Sequence, residues 1–243
     1  MRIRQKLTGI ITAPALVYED VRDSGRTTSN WLVPLTLIII VSIAMLQVEM
    51  ANPVLVTRTE ELYGPKIHFA VEQAVTEGKF TREDANAMYA LLRPGSPVFD
   101  ILQSFALAIW QSAALFALGL LYWLVGKSAM GGVVPYMKVV EVVGLALVID
   151  MLDVVARTIL AVATGSLFVT PGPSLLVTHL DPENRFHLFL TTVNVFTFWK
   201  FWILGVGLSA LYERDMLKVL VLIVAIWVLW SILSFFGPVV AAP

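Results

Sequence analysis

The sequence predicts an all-α, polytopic membrane protein with five transmembrane helices, and three observations carry that prediction. Apolar runs recur near the length of about 20 residues that crosses a bilayer core about 30 Å thick. Only 14% of the 243 residues are charged, against about 25% in soluble domains. The mean hydropathy is +0.79, with no stretch left over for a soluble domain of ordinary size. The net charge of −1 gives no sign of a nucleic-acid partner. With no cysteine, disulfides, thiol catalysis and cysteine metal sites are excluded.

Residues 1–30 read as a cytoplasmic amphipathic interfacial segment. Thr12 is placed to cap a helix that starts near Pro14 and runs PALVYEDVR. Leu16, Val17 and Val21 would face lipid while Glu19, Asp20 and Arg22 face water. Ala13-Pro14-Ala15 is faintly like a signal-peptide cleavage site, but Pro14 lies inside it and the apolar stretch before it is short. The first span is expected over 31–50, with Trp31 as its interface anchor.

The loop 51–100 is the one sizeable aqueous segment. It predicts a helical hairpin, one helix over Glu60 to Val75 and a second in FTREDANAMYALLRPG, residues 80–95. Thr81 and Asp84 have capping-box spacing, and Pro94-Gly95 ends the second helix. This hairpin is either a folded connector or a surface for a partner.

Four more spans follow, over about 101–125, 135–163, 185–211 and 217–236, leaving a tail at 237–243. Ser104, Ala108, Gln111, Leu115 and Gly119 give the second span a mostly small face; Gly205, Gly207 and Ser209 do the same for the fourth. In the loop before the fourth span, Asp181-Pro182-Glu183 is expected to cap it. His179 and His187 flank those acids without matching a metal-ligand spacing, so capping carboxylates and interface histidines explain them.

Basic residues orient the chain. With the N-terminus cytoplasmic, nine lie inside: Arg2, Arg4, Lys6, Arg22, Arg26, Lys127, Lys138, Arg214 and Lys218. Six lie outside, and five of them, Arg58, Lys66, Lys79, Arg82 and Arg93, share one long loop that counts weakly; the sixth is Arg185. The C-terminus is then extracytoplasmic.

The third span holds the candidate site. In LALVIDMLDVVARTIL, residues 145–160, Asp150, Asp153 and Arg157 fall on one side of a helix. Three mid-membrane charges cost about 8–10 kcal/mol, and fourteen Val, Leu and Ile over 139–163 offset about 4–8 kcal/mol. The charged side must therefore turn inward. Asp153 and Arg157 are at ion-pair spacing, and Lys200 on the fourth span is the natural partner of Asp150. Asn194 and Gln111 are further polar neighbours; Glu141 lies half a turn out of phase, near the cytoplasmic end. Mutual compensation favours a structural lock over a proton or ion path. A basic neighbour keeps both acids ionised, unlike an aspartyl protease pair, and no nucleophile, zinc, phosphate-loop or dinucleotide motif is present. The expectation is a non-enzyme with no cofactor and no metal.

APALVYEDVRD followed by NWLVPLTLI, then GGVVPYMKVVEVVGLALV, then NVFTFWKFWILGVGLSALY resemble the Yip family of five-helix membrane proteins, in particular its short bacterial-type members. The likeness covers nearly the whole chain, as one Yip-like domain. It implies a cytoplasmic N-terminus and an extracytoplasmic C-terminus. Eukaryotic members are associated with Golgi and endoplasmic reticulum membranes and with Rab GTPases, a trafficking role not carried over to this chain. Asp150, Asp153, Arg157 and Lys200 are outside the general family pattern. Three functions follow as expectations. The first is an inner-membrane protein acting on other membrane proteins or on itself, as an accessory subunit of an export or transport complex built around a transport ATPase or permease. The second is a small transporter or channel using the charged set, and the third a membrane-shaping or lipid-handling protein. The lipid bilayer is a partner in all three.

Overall fold

The computed structural model describes residues 1–177, 180–181 and 184–236. Every regular element among them is helical: α1 (Ile3–Thr12), α2 (Pro14–Asp23), α3 (Ser29–Met50), α4 (Pro53–Thr76), α5 (Arg82–Leu92), α6 (Pro97–Val125), α7 (Tyr136–Thr164), α8 (Arg185–Thr192), α9 (Val195–Tyr212) and α10 (Met216–Phe236). A π-turn, Gly126–Met130, extends α6, and a 3₁₀ turn, Pro173–Leu176, lies between α7 and α8. Four helical stretches are long and apolar enough to cross a membrane: Ser29–Met50, Pro97–Met130, Val195–Tyr212 and Met216–Phe236. These mark the chain as an integral membrane protein.

α7 is as long as α6, but its charges set it apart from those four. It is the hub of the bundle, packing against α3, α6 and α9. From Lys138 to Ile149 every residue is buried. Close approach at two glycines makes this possible. A Cβ on Gly144 would lie 2.6 Å from the Trp31 Cα of α3, and one on Gly207 of α9 would lie 2.5 Å from Val142 Cγ1.

Contacts at the ends of α7 set the connectivity. Near its start, Arg214 Nε, after α9, donates to the Met130 carbonyl at 2.8 Å. Past its end, Gly165 lies against Val54 of α4, and Arg185 Nη1 donates to the Phe235 carbonyl of α10 at 2.8 Å. One end of the bundle therefore gathers α1, α2 and the 126–135 turn. The other gathers α4, α5 and the chain after α7.

Capping sets several boundaries. Asn52 caps α4 through the N–H groups of Val54 and Leu55, so this helix begins at Pro53, earlier than Glu60. Ser96 caps α6 at Phe99, ahead of the 101 start expected. The Thr81–Asp84 capping box opens α5.

The N-terminal segment departs from expectation. It is two helices, with Thr12 ending the first and Ala13 between them. Val17 and Val21 do not face lipid: with Ile10 and Tyr18 they are buried in the core. α2 lies on α9 and α7, and the Tyr18 hydroxyl donates to the Val142 carbonyl at 3.2 Å. The apolar face seen in the sequence covers protein. Leu16 alone of the three predicted lipid-facing residues is exposed.

The expected span 185–211 is also interrupted, at Val193 and Asn194, both extended. Asn184, rather than Asp181, caps α8 through Phe186 and His187. Pro182 and Glu183 lie outside the described residues, as do His179 and the tail 237–243.

The Gly144 contact yields a prediction. Gly144→Ala forces α3 and α7 apart and should lower stability by about 1–3 kcal/mol, read as thermal unfolding in mild detergent. Unchanged stability would mean that α3 and α7 do not touch there.

Candidate functional site

The charged residues of α7 divide into two groups. Toward its start, Glu141 is fully buried. Its Oε2 accepts from Asn30 Nδ2 at 2.6 Å and its Oε1 from the Thr27 N–H at 3.0 Å. One turn earlier, the buried Lys138 ammonium donates to the carbonyls of Val21, Ser24 (2.7 Å) and Gly25 (3.0 Å). Lys138 thereby satisfies carbonyls at the end of α2, and Glu141 satisfies donors at the start of α3. Together they fasten the 24–28 turn to α7. Sequence reasoning placed Glu141 apart from the other acids, and so it lies. The role of Asn30 was missed, although an Asn at the start of an apolar span is an available signal.

Farther along, Asp150 is the middle residue of α7. Its Oδ2 accepts from Lys200 Nζ of α9 at 2.6 Å. Asp153, one turn on, is shared. Arg157 Nη2 lies 2.9 Å from its Oδ2, and Asn194 Nδ2 donates to its Oδ1 at 2.6 Å. Asn194 is buried, and its own Oδ1 accepts from the Phe196 N–H, capping α9. One side chain thus starts α9 and joins it to α7. Gln111 does not join the set: it lies on α6 and makes no side-chain hydrogen bond among the described residues. Beyond Arg157, Thr158 Oγ1 donates to Glu49 Oε1 of α3 at 2.7 Å, a link absent from the sequence reading.

These groups are not sealed. Side-chain exposure is 27% for Asp150, 18% for Lys200, 15% for Asp153 and 44% for Arg157. The set can hold two helices in register or bind a polar species. Nothing in it forms a nucleophile–base pair.

Outside the bundle, Lys6 Nζ approaches Asp20 Oδ2 at 2.8 Å, with the terminal amine 2.6 Å from Oδ1. The bond from Lys6, then that from the amine, hold the Asp20 carboxyl below its ordinary range. At the opposite end, α4 and α5 form an open cleft lined by Thr57, Glu60, Glu61, Gly64, Pro65, His68 and Tyr89. The His68 and Tyr89 rings meet edge-on at 5.6 Å. The His187 Nδ1 accepts from the Asp181 N–H at 3.2 Å.

No family model, curated protein or solved structure matches the chain.

The geometry of the ion pairs can be tested at two places. Asp150→Asn or Lys200→Met strands one charge, whereas the double variant strands none. The double variant should be more stable than the sum of the single losses implies, by about 1–3 kcal/mol in unfolding measurements; strict additivity would dissolve the pair. For Asp20, the depressed folded pKa adds stability above the unfolded value of about 3.9 and loses it as pH falls through the folded value. The stability gap between the wild type and Asp20→Asn should therefore be full near neutral pH and close below about pH 4. A gap constant with pH would show that the carboxylate charge is not what matters.

Proposed function

We propose that this chain is a five-helix protein of the bacterial inner membrane, of the Yip type, that works without catalysis by contact with a second membrane protein. The N-terminus is cytoplasmic, the C-terminus extracytoplasmic, and α7 is the fifth crossing. At 1.5 Å per residue its 29 residues reach about 43 Å, beyond the core thickness of about 30 Å. The contacts at its two ends, on opposite ends of the bundle, support this reading, as does the excess of basic residues at the α1–α2 end.

The α4–α5 hairpin is the observation that carries the functional reading. Between them, these helices bury only Leu55, Thr59, Gly64, Val71 and Ala85. Phe69 is 72% exposed, with Val54, Phe80 and Leu91 also exposed. An aqueous hairpin with an open cleft and bare apolar side chains fits a docking surface for an export or transport complex, as an accessory or regulatory subunit. The ion pairs of α7 serve the bundle that holds the hairpin up. A second reading, a small transporter, draws on the partial exposure of Asp150, Arg157 and Lys200. A lipid-handling role for α1–α2 has less support, because its apolar face is buried in protein.

The test is purification of the tagged chain from its native membrane in mild detergent, with mass spectrometry of what stays bound. A stoichiometric transport ATPase or permease that is lost with Phe69→Asp is the expected result. A chain that comes out with lipid or itself alone overturns the docking reading.

A further inference from the structure

Gly64 and Pro65 sit side by side in the middle of α4. Glycine is a poor helix former and proline a worse one. Pro65 has no N–H, so the Glu61 carbonyl loses its ordinary helical donor. Packing explains the glycines at 144 and 207, where a Cβ would meet a neighbour at 2.6 and 2.5 Å. It does not explain Gly64. A Cβ there would lie 3.6 Å from Glu60 Cγ and 3.8 Å from the Tyr89 hydroxyl oxygen, both ordinary contacts. What the pair does is open the cleft between α4 and α5. Both residues line it, and Gly64, the one buried member of the lining, is its floor.

The cleft has a volume of about 440 Å³, at the small end for ligand pockets. Its charge is unbalanced. Elsewhere on the hairpin the acids have partners: Glu61 is paired with Arg58 at 2.9 Å, Glu72 with Arg82 at 2.7 Å and Glu77 with Lys79 at 2.6 Å. Asp84 is held by Thr81. Glu60, inside the cleft, makes no ion pair or side-chain hydrogen bond among the described residues. The polar atoms of His68 and Tyr89 are likewise without a bond there, while their rings meet edge-on at 5.6 Å and form an aromatic wall. No base lines the cleft: Arg58 is engaged with Glu61, and the Lys66 ammonium lies over the Tyr63 ring at 5.7 Å. The complement of a free carboxylate beside an aromatic wall is a cation with several donors and a flat face. A guanidinium has both; an ammonium is a compact point charge.

We propose that the α4–α5 cleft receives one arginine side chain from an aqueous segment of the docked partner, its guanidinium donating to Glu60 and stacking on the His68–Tyr89 wall. This rests on the docking reading above and names what the partner brings to it. Charge complementarity selects the occupant, and the surroundings supply the rest of the contact. Phe69, next to His68 in the chain, is 72% exposed. An exposed ion pair alone contributes little. Apolar contact around it excludes water and lets an arginine anchor an interface. A lone arginine therefore binds weakly, and the same residue on a partner that also covers Phe69 binds well.

The three histidines of the chain allow a direct test. The full chain, labelled with ¹³C only at histidine and held in nanodiscs of zwitterionic lipid, gives three ring signals, and His68→Gln identifies the one in the cleft. N-acetyl-arginine methylamide is titrated in, beside its neutral citrulline counterpart and its lysine counterpart. The arginine compound should shift the His68 signal saturably, with a Kd of about 1–10 mM. The citrulline compound should bind about tenfold more weakly or worse, and the lysine compound about threefold more weakly. Glu60→Gln should weaken the arginine compound about tenfold with an unchanged melting temperature. Gly64→Ala, which fits sterically and favours the helix, should weaken it too while the melting temperature holds or rises. A His68 signal that the arginine compound leaves unmoved overturns the proposal. So does equal binding of the citrulline compound, or undiminished binding by Glu60→Gln. Equal binding of the lysine compound overturns the assignment to a guanidinium. The docking reading stands or falls separately, on loss of the partner with Phe69→Asp, because no partner is present in the titration.

Discussion

A carboxylate in hydrocarbon must have a partner, and the whole arrangement is built around a helix that carries three. Each acid of α7 draws in a different piece of the chain. Glu141 takes the start of α3, Asp150 takes α9 through Lys200, and Asp153 takes the α8–α9 break through Asn194. The apolar residues between them are what the same helices pack on. Hydrophobic burial cannot itself drive helices together inside lipid, because lipid tails are as apolar as leucine. Hydrogen-bonded charges and close backbone approach at Gly144 and Gly207 supply what burial does not.

The two groups of charges differ in kind. Lys138 and Glu141 are buried and spread over backbone groups at the ends of α2 and α3. That arrangement is a fastening: it satisfies helix termini that would otherwise go without partners. The Asp150–Lys200 and Asp153–Arg157 pairs are side chain to side chain and stay partly exposed. Such pairs can exchange partners without unravelling a helix. A structural role suffices for the first group, while the second is paired and still partly exposed.

Composition and spacing made much of this legible. Apolar runs marked the spanning helices, because period and length are properties of the chain itself. Asp150, Asp153 and Arg157 on one side of a helix follow from residue spacing, and Lys200 was the remaining base at matching depth. The capping of α5 was legible for the same local reason. What could not be read was what covers an apolar face. Val17 and Val21 have the same pattern whether they meet lipid or α9, and only tertiary packing decides. The interruption at Asn194 was hidden by the mainly apolar residues on either side of it. Its signal, a strong capping residue after two threonines, was outweighed by hydropathy. Thr158 and Glu49 are separated by 109 residues, so no local pattern links them.

In the five-helix reading α7 crosses the membrane in spite of its charges. The most direct measurement is the sidedness of reporter fusions at its two ends, one after Val133 in the preceding turn and one after Ser166 in the following loop. A fluorescent reporter active only in the cytoplasm and a phosphatase active only outside would be placed at each position. Cytoplasmic fluorescence at 133 and phosphatase activity at 166 are expected if α7 crosses. The same face at both positions would contradict it, leaving α7 as a helix that enters the bundle without passing through.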